Sequence, residues 1–280
     1  MYDLEGKVAI VTGAARLRGI GRGCALALAR AGADIVITGT ARTPDSLPDN
    51  EKKAGWRGLA SVAEEIEALG RKVLPLTSDA TKLADVQATV QATIERFGHI
   101  DILINNAAFS RGNDRVPIVD LPDELFEKVV TTNLMSTFLF TKNVARQMIE
   151  QGHGGKIVNL SSVAGKKGIR TFAAYNASKF GIVGFTQSVA LDLAPYKINV
   201  NAICPGATDT TRLDDYGVAQ AKHWGVSVEE ARARLVAASI PLGRMATIED
   251  IGNMAVFLSS ECSSFVTGQS INVCGGTVFY

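Results

Sequence analysis

The chain has few histidines and few cysteines, and neither type clusters. Cys24, Cys204, Cys262 and Cys274 are widely spaced without a C-x-x-C pair, so neither a disulfide framework nor a zinc site is expected. His99, His153 and His223 are equally dispersed, and no metal is expected. An excess of one charge is also missing: 29 Lys+Arg against 28 Asp+Glu give a formal net charge of +1. A nearly neutral chain offers no electrostatic case for nucleic acid or an anionic membrane as partner. The N-terminal MYDLEGKVAIVTG has no basic region followed by a long apolar run. Neither a signal peptide nor a spanning helix is expected, and the cytoplasm is the default location. The absence of a G-x-S-x-G elbow argues against a hydrolase of that design. What is plentiful is apolar: 46% hydrophobic content over 280 residues allows a substantial core.

Periodicity then sets the architecture. Lys7–Thr12 is a short apolar, β-branched run and reads as a buried strand. It leads into the glycine loop GAARLRGIGRG, a helix, and a second strand at Asp34–Thr38. That strand–loop–helix order aims backbone N–H groups and a helix N-terminus at a pyrophosphate. Gly39–Gly58, with Pro44 and Pro48, reads as a polar surface insertion without regular structure. Helices are expected at Ser61–Leu69 and Leu83–Phe97, and strands at Val73–Thr77 and His99–Asn105. Asp123–Gln151 reads as one long helix with Asn133 inside it, where asparagine competes for backbone hydrogen bonds. Lys156–Leu160 and Ile198–Cys204 are further strands flanking a Phe172–Ala194 helix. Ala207–Met245 reads as irregular or weakly helical; a Thr247–Leu258 helix and a Ser270–Val273 strand close the chain. Alternating strands and helices imply an α/β fold, a doubly wound parallel sheet of Rossmann type with helices on both faces, in a single domain.

Candidate chemistry concentrates between Ser161 and Lys179. Tyr175 and Lys179 are one helical turn apart and share a face. Ser162 ends an apolar run and can be brought back to the same place by a loop. A nearby ammonium favours phenolate, which a tyrosine of pKa about 10 needs to act as acid or base near neutrality. A serine hydroxyl donates and accepts, so it can hold a carbonyl or alcohol oxygen. A Tyr/Lys pair at this spacing also occurs on ordinary helix surfaces. Placement argues otherwise, because ligands in such sheets bind beyond the carboxyl ends of the strands. The glycine loop, Asp79, Asn105, Ser162 and Pro205 all fall there.

With these motifs in place, the chain resembles the short-chain dehydrogenase/reductase family over essentially its whole length. The resemblance rests on Thr12-Gly13…Gly19-Ile20-Gly21, Asp79, Asn105-Asn106-Ala107, Asn133, Ser162, Tyr175-x-x-x-Lys179 and Pro205-Gly206. It implies a nicotinamide-dependent oxidoreductase of the ketone/secondary-alcohol couple. Tyr175 would be the proton donor or acceptor, Ser162 would hold the reacting oxygen, and Lys179 would hold the nicotinamide ribose. Asn133 would keep a water in a proton relay. Asp79 with Ala80 would bind adenine, and Asn105 and Ala107 would support the nucleotide. Gly13, Gly19, Ile20, Gly21, Pro205, Gly206, Thr208 and Thr210 would complete the cofactor site. Family members are commonly tetramers or dimers, so a homo-oligomer is expected. Two departures stand out. Five residues, Ala14–Arg18, separate the first two glycines where three are usual, and the Gly39–Gly58 insertion is longer than typical.

The end of the second strand, Thr38-Gly39-Thr40-Ala41-Arg42, lacks the acid that binds an NAD ribose. Arg18 and Thr40 resemble positions that receive the 2′-phosphate, and Arg42 adds a cation, so NADP(H) is expected over NAD(H). Asp45, Asp49 or Glu51 from the insertion would reverse this by reaching the ribose. The 207–245 segment, with Tyr216, His223 and Trp224, is expected to wall the substrate pocket. Arg111, Arg115, Lys167, Arg170 and Arg212 are candidates for an anionic substrate group. A 3-oxoacyl-thioester reductase is the alternative within this chemistry, and a non-catalytic dinucleotide-binding regulator the alternative outside it.

Overall fold

The computed structural model describes residues 2–43, 47–109 and 113–280, apart from the side chains of Arg212, Asp215, Tyr216 and Ala219. Seven strands are described: β1 (Val8–Val11), β2 (Asp34–Gly39), β3 (Val73–Thr77), β4 (Ile102–Asn105), β5 (Gly155–Leu160), β6 (Ile198–Pro205) and β7 (Ser270–Val273). They form one parallel sheet in the order β3-β2-β1-β4-β5-β6-β7. The inner strands are uninterrupted apolar runs because both faces are covered: all four residues of β1 and of β4 are buried. β3 carries Pro75 and is less buried, as suits an edge where a missing N–H costs no ladder bond.

Helices α1 (Ile20–Arg30), α3 (Leu59–Ala68) and α10 (Ile248–Ser259) cover one face. Helices α4 (Leu83–Phe97), α6 (Ser136–Gln151) and α7 (Ala173–Leu193) cover the other. Strand order reverses direction between β1 and β4, and the crevice beyond their carboxyl ends is where this architecture takes a dinucleotide.

Backbone contact between α1 and α10 is close. A Cβ on Gly23 would lie 2.5 Å from the Ile248 carbonyl oxygen, and one on Gly252 would lie 2.7 Å from the Gly23 carbonyl oxygen. Gly23→Ala is therefore expected to lower stability by about 1–3 kcal/mol, since the helices must part to admit the methyl group. Chemical denaturation measures this; an unchanged midpoint would show that the interface yields freely.

Three expectations are corrected. The Gly39–Gly58 segment is not a solvated loop throughout: it holds the short helix α2 (Asp49–Lys53), and Glu51 and Trp56 are buried. The long Asp123–Gln151 helix is interrupted. α5 (Asp123–Val130) passes into a π turn at Thr131–Met135 before α6 resumes, and the interruption falls on Asn133. Ala207–Met245 is more regular than its weak pattern suggests, with α8 (Thr211–Trp224) and α9 (Val228–Ser239) packed on each other.

Candidate active site

The glycine loop is fastened to the end of β4. The Thr12 hydroxyl oxygen accepts from the N–H groups of Asn106 and Ala107, both at 2.9 Å. The Asn106 amide donates to the carbonyls of Thr12 (2.8 Å) and Gly13 (2.9 Å). Gly13 has φ +69°, and a Cβ there would meet the Ala107 Cα at 2.9 Å. A Cβ on Gly21 would collide with the Asn106 amide and lie 2.7 Å from the Gly13 carbonyl oxygen. The loop ends at Gly19, the N-cap of α1, which brings no side-chain acceptor to the first-turn N–H groups. A cradle with no space for side chains, leading to a helix end without a side-chain cap, fits a dinucleotide pyrophosphate.

Asn105, expected at this site, lies beneath it. Its amide donates to Thr141 and Asn159, both at 2.9 Å, and Asn159 donates on to Thr186. Consecutive strand residues face opposite ways, so only Asn106 of the pair meets the loop. Sequence reasoning gave Thr12 and Asn106 no separate role; the available signal was a hydroxyl immediately before the first glycine.

The loop from β5 to α7 is pinned by Asn176, whose amide donates to the carbonyls of Ala164 (2.6 Å) and Lys167 (2.8 Å). This brings Ser162 and Tyr175 to the same cavity wall. The Ser162 hydroxyl oxygen accepts from the Ala164 N–H at 3.1 Å. Lys179 is only 4% exposed; its Nζ donates to the Leu160 carbonyl at 2.7 Å and lies 5.7 Å from the centre of the Tyr175 ring. One helical turn and one loop thus assemble Ser162, Tyr175 and Lys179.

Asn133 is fully buried and supports that face from the π turn. Its Oδ1 accepts from the Phe109 N–H at 2.7 Å, and its Nδ2 donates to the Ser178 hydroxyl at 2.8 Å. Ser178 in turn donates to the Tyr175 carbonyl at 2.8 Å. Asn133 therefore joins the segment after β4 to the catalytic-candidate helix through two hydrogen bonds, the one to Ser178 fully buried.

The remaining candidates surround the cavity and the nucleotide crevice. Pro205, Gly206, Thr208 and Thr210 line the cavity with Ile20. Gly206 is held by its N–H to the Val273 carbonyl (2.9 Å), and a Cβ there would strike Cys274. Asp79 stands at the carboxyl end of β3, next to buried Ala80. The Thr81 hydroxyl, its N–H and the Lys82 charge hold the Asp79 carboxyl below the usual range, burial opposing them. Arg18 pairs with Asp209 and Asp214, and so ties the glycine loop to the start of α8. Thr40 is exposed just beyond β2.

The cavity has a volume of about 430 Å³, and its far wall comes from Leu213 of α8 and from Leu235, Val236 and Ser239 of α9. Arg115 and Lys167 also line it; the Arg115 guanidinium carbon stacks 3.7 Å from the Phe172 ring centre and 4.2 Å from that of Tyr175. Arg170 is exposed and His223 and Trp224 face solvent, all outside the cavity lining. Arg111 and Asp45, and the side chains of Arg212 and Tyr216, lie outside the described residues. Among the described residues no His, Cys, Asp and Glu group could hold a metal ion, and no helix is long and apolar enough to cross a membrane.

A glycine-loop crevice beside a wall that carries Ser162 and Tyr175, with Lys179 buried behind it, suits a nicotinamide-dependent oxidoreductase. Comparison with known proteins agrees. The family model described as enoyl-(acyl carrier protein) reductase matches residues 13–278. A short-chain dehydrogenase/reductase of Armillaria gallica is 37% identical over 275 residues, 98% of this chain and 97% of that one. Galactitol 2-dehydrogenase of Agrobacterium fabrum is 39% identical over 273 residues, 98% of each chain. The crystal structure of carveol dehydrogenase from Mycobacterium avium in complex with NAD aligns with a TM-score of 0.87 at 27% identity, covering 99% of both chains. The chain belongs to the short-chain dehydrogenase/reductase family. It is an NAD(P)-dependent oxidoreductase exchanging a hydride between a nicotinamide and an alcohol or ketone carbon.

Proposed function

We propose that Tyr175 is the general acid/base of this exchange and that the substrate is a predominantly apolar ketone or secondary alcohol. The observation that carries the reading is that Ser162 and Tyr175 share one cavity wall, with Lys179 buried behind the tyrosine. The Ser162 hydroxyl holds the substrate oxygen, and the Tyr175 hydroxyl gives it a proton in reduction or removes one in oxidation. The Lys179 ammonium favours phenolate in the second direction. The nicotinamide supplies or accepts the hydride when bound. Asn133 keeps α7 in register through Ser178, and the widened turn it occupies is where a relay water would sit. Gly13, Gly19, Ile20 and Gly21 take the pyrophosphate, Asp79 the adenine, and Pro205, Gly206, Thr208 and Thr210 the nicotinamide end. One domain carries both sites, and the exposed Phe138, Phe180 and Leu191 on α6 and α7 suit a homo-oligomer, a tetramer or a dimer.

The apolar character follows from the wall. Val163, Ile169, Phe172, Leu235, Val236 and Ile240 line it, and most of the lining surface is apolar, although Arg115, Lys167, Ser239 and Thr277 are also there. Such a surface gains more from an apolar substrate body than from the chain of a polyol. A panel of cyclic and aromatic ketones against open-chain polyols is expected to give kcat/KM at least about tenfold higher for the apolar set; polyols as the better substrates would sink the assignment. A second reading, a 3-oxoacyl thioester, is favoured by Arg115 and Lys167 at the wall, which would meet the phosphate of its carrier arm.

NADP(H) is the preferred cofactor in this reading. No carboxylate follows β2 before Arg42, and the buried Glu51 is spent on internal partners rather than on a ribose. Arg18 is paired with Asp209 and Asp214 at the start of α8, and Arg42 adds a second cation just beyond β2.

A further inference from the structure

We propose that Arg115 is a further positioning residue for the reaction: its guanidinium, seated in the notch between the Phe172 and Tyr175 rings, fixes the Tyr175 ring in the cavity wall and brings a second cation, beside Lys179, to its phenolate. This rests on the acid/base reading of Tyr175 above. The two rings meet edge to face, with centres 6.3 Å apart and planes at 78°. The Arg115 guanidinium carbon lies 3.7 Å from the centre of the first and 4.2 Å from the centre of the second. Arg115 comes from the segment after β4, and the rings from the start of α7, so the stack ties the two together beside the cavity. The chain bears strain to place Phe172. Thr171, immediately before it, is β-branched and yet has φ +67°, a conformation that persists only where the surroundings impose it.

Charge makes the stack more than packing. A guanidinium is planar, always charged and weakly hydrated, so it can lie on an aromatic face with little loss of solvation. The Arg115 side chain is only 12% exposed, which leaves its field poorly screened by water. A phenolate carries more negative charge than a phenol, so a cation held on the ring favours ionisation. Lys179 acts in the same sense from behind, its Nζ 5.7 Å from the ring centre. The buried Asp114 opposes both, with its Oδ2 3.4 Å from Arg115 Nε. Lys167 is the other charged group among the described residues lining the cavity, and its Nζ donates to the Thr277 carbonyl at 3.5 Å. The described residues of α8 and α9 there are uncharged: Leu213, Leu235, Val236 and Ser239. α5 also packs on α7, and its Asp123, Glu124, Glu127 and Lys128 are exposed outside the cavity lining.

The test is ultraviolet titration of the Tyr175 phenol in wild type, Arg115→Gln and Arg115→Lys. Each is read as the tyrosinate absorbance lost when the same protein also carries Tyr175→Phe. Glutamine keeps a planar group on the rings and a donor for Asp114 while removing the charge. Arg115→Gln is expected to raise the Tyr175 midpoint by about one pH unit. Arg115→Lys, which keeps the cation, is expected to stay within about 0.3 pH unit of wild type. In ketone reduction the phenol form donates the proton, so kcat falls as pH rises through that midpoint. With the best ketone of the panel above, the fall is expected to move to higher pH by the same amount in Arg115→Gln, with KM within about twofold of wild type. A merely structural residue would lower kcat at every pH without moving either midpoint. A residue that binds an anionic group of the substrate would raise KM instead. Either result overturns the proposal. Should Arg115→Gln fail to fold, Phe172→Leu decides: it leaves both charges and removes one side of the notch, and the Tyr175 midpoint must still rise. Turnover retained in Tyr175→Phe, with the midpoint still moved by Arg115→Gln, would reject the acid/base reading and keep this pairing. Turnover lost in Tyr175→Phe, with the midpoint unmoved by Arg115→Gln, would do the reverse.

Discussion

Tyr175→Phe is expected to lower kcat at least about a thousandfold while NADPH binds within about twofold of wild type. The phenyl ring keeps the stack with Phe172 and Arg115 and removes one oxygen. Lys179 stays bonded to the Leu160 carbonyl and Ser162 to the Ala164 N–H, so the cavity wall keeps its shape. What disappears is the hydroxyl that we propose moves a proton on and off the substrate oxygen. Steady-state turnover and a fluorescence titration on the same preparation check both halves. Turnover retained would remove Tyr175 from the chemistry, and cofactor binding lost with it would make the tyrosine a structural element. A regulator that binds the dinucleotide without turnover has no use for this residue, so the same variant separates the enzyme from that alternative.

Asn133→Ala is expected to fail differently, losing stability as well as rate. Alanine removes the acceptor of the Phe109 N–H and the donor to the buried Ser178 hydroxyl, at a cost of roughly 2–4 kcal/mol. Because Ser178 also bonds the Tyr175 carbonyl, the start of α7 loses a restraint, and kcat should fall at least about a hundredfold. Thermal unfolding and turnover measured together test this. A variant of unchanged melting temperature and full activity would show that the π turn holds itself. Asn133→Asp, which keeps the acceptor for Phe109 and loses the donor to Ser178, should fall between the two.

Much of the fold was legible because its signals are local. β3, α4 and β7 match their expected limits, since a short apolar run between breakers, or a helical stripe closed by glycine, needs no distant partner to be read. The misreadings share a cause. Glu51 and Trp56 sit among prolines and charges, and only contact with the glycine loop makes that stretch an internal surface. α8 and α9 have weak patterns because each covers a cavity on one side and the other helix on the next, so no single polar face develops. The placement of Ser162, Tyr175 and Lys179 followed from one helical turn and one strand end. That of Arg18 did not, because its partners Asp209 and Asp214 lie far along the chain, in the crossover from β6 to β7.

The most direct test of the account is titration of the wild-type protein with NADPH and NADH, read by nicotinamide fluorescence. The crevice between the glycine loop and β2 predicts saturable binding of both, with NADPH the tighter. NADH binding more tightly would contradict the cofactor assignment and turn attention to a carboxylate of the insertion. Binding of neither would contradict the site itself, with the widened Ala14–Arg18 loop as the first element to re-examine.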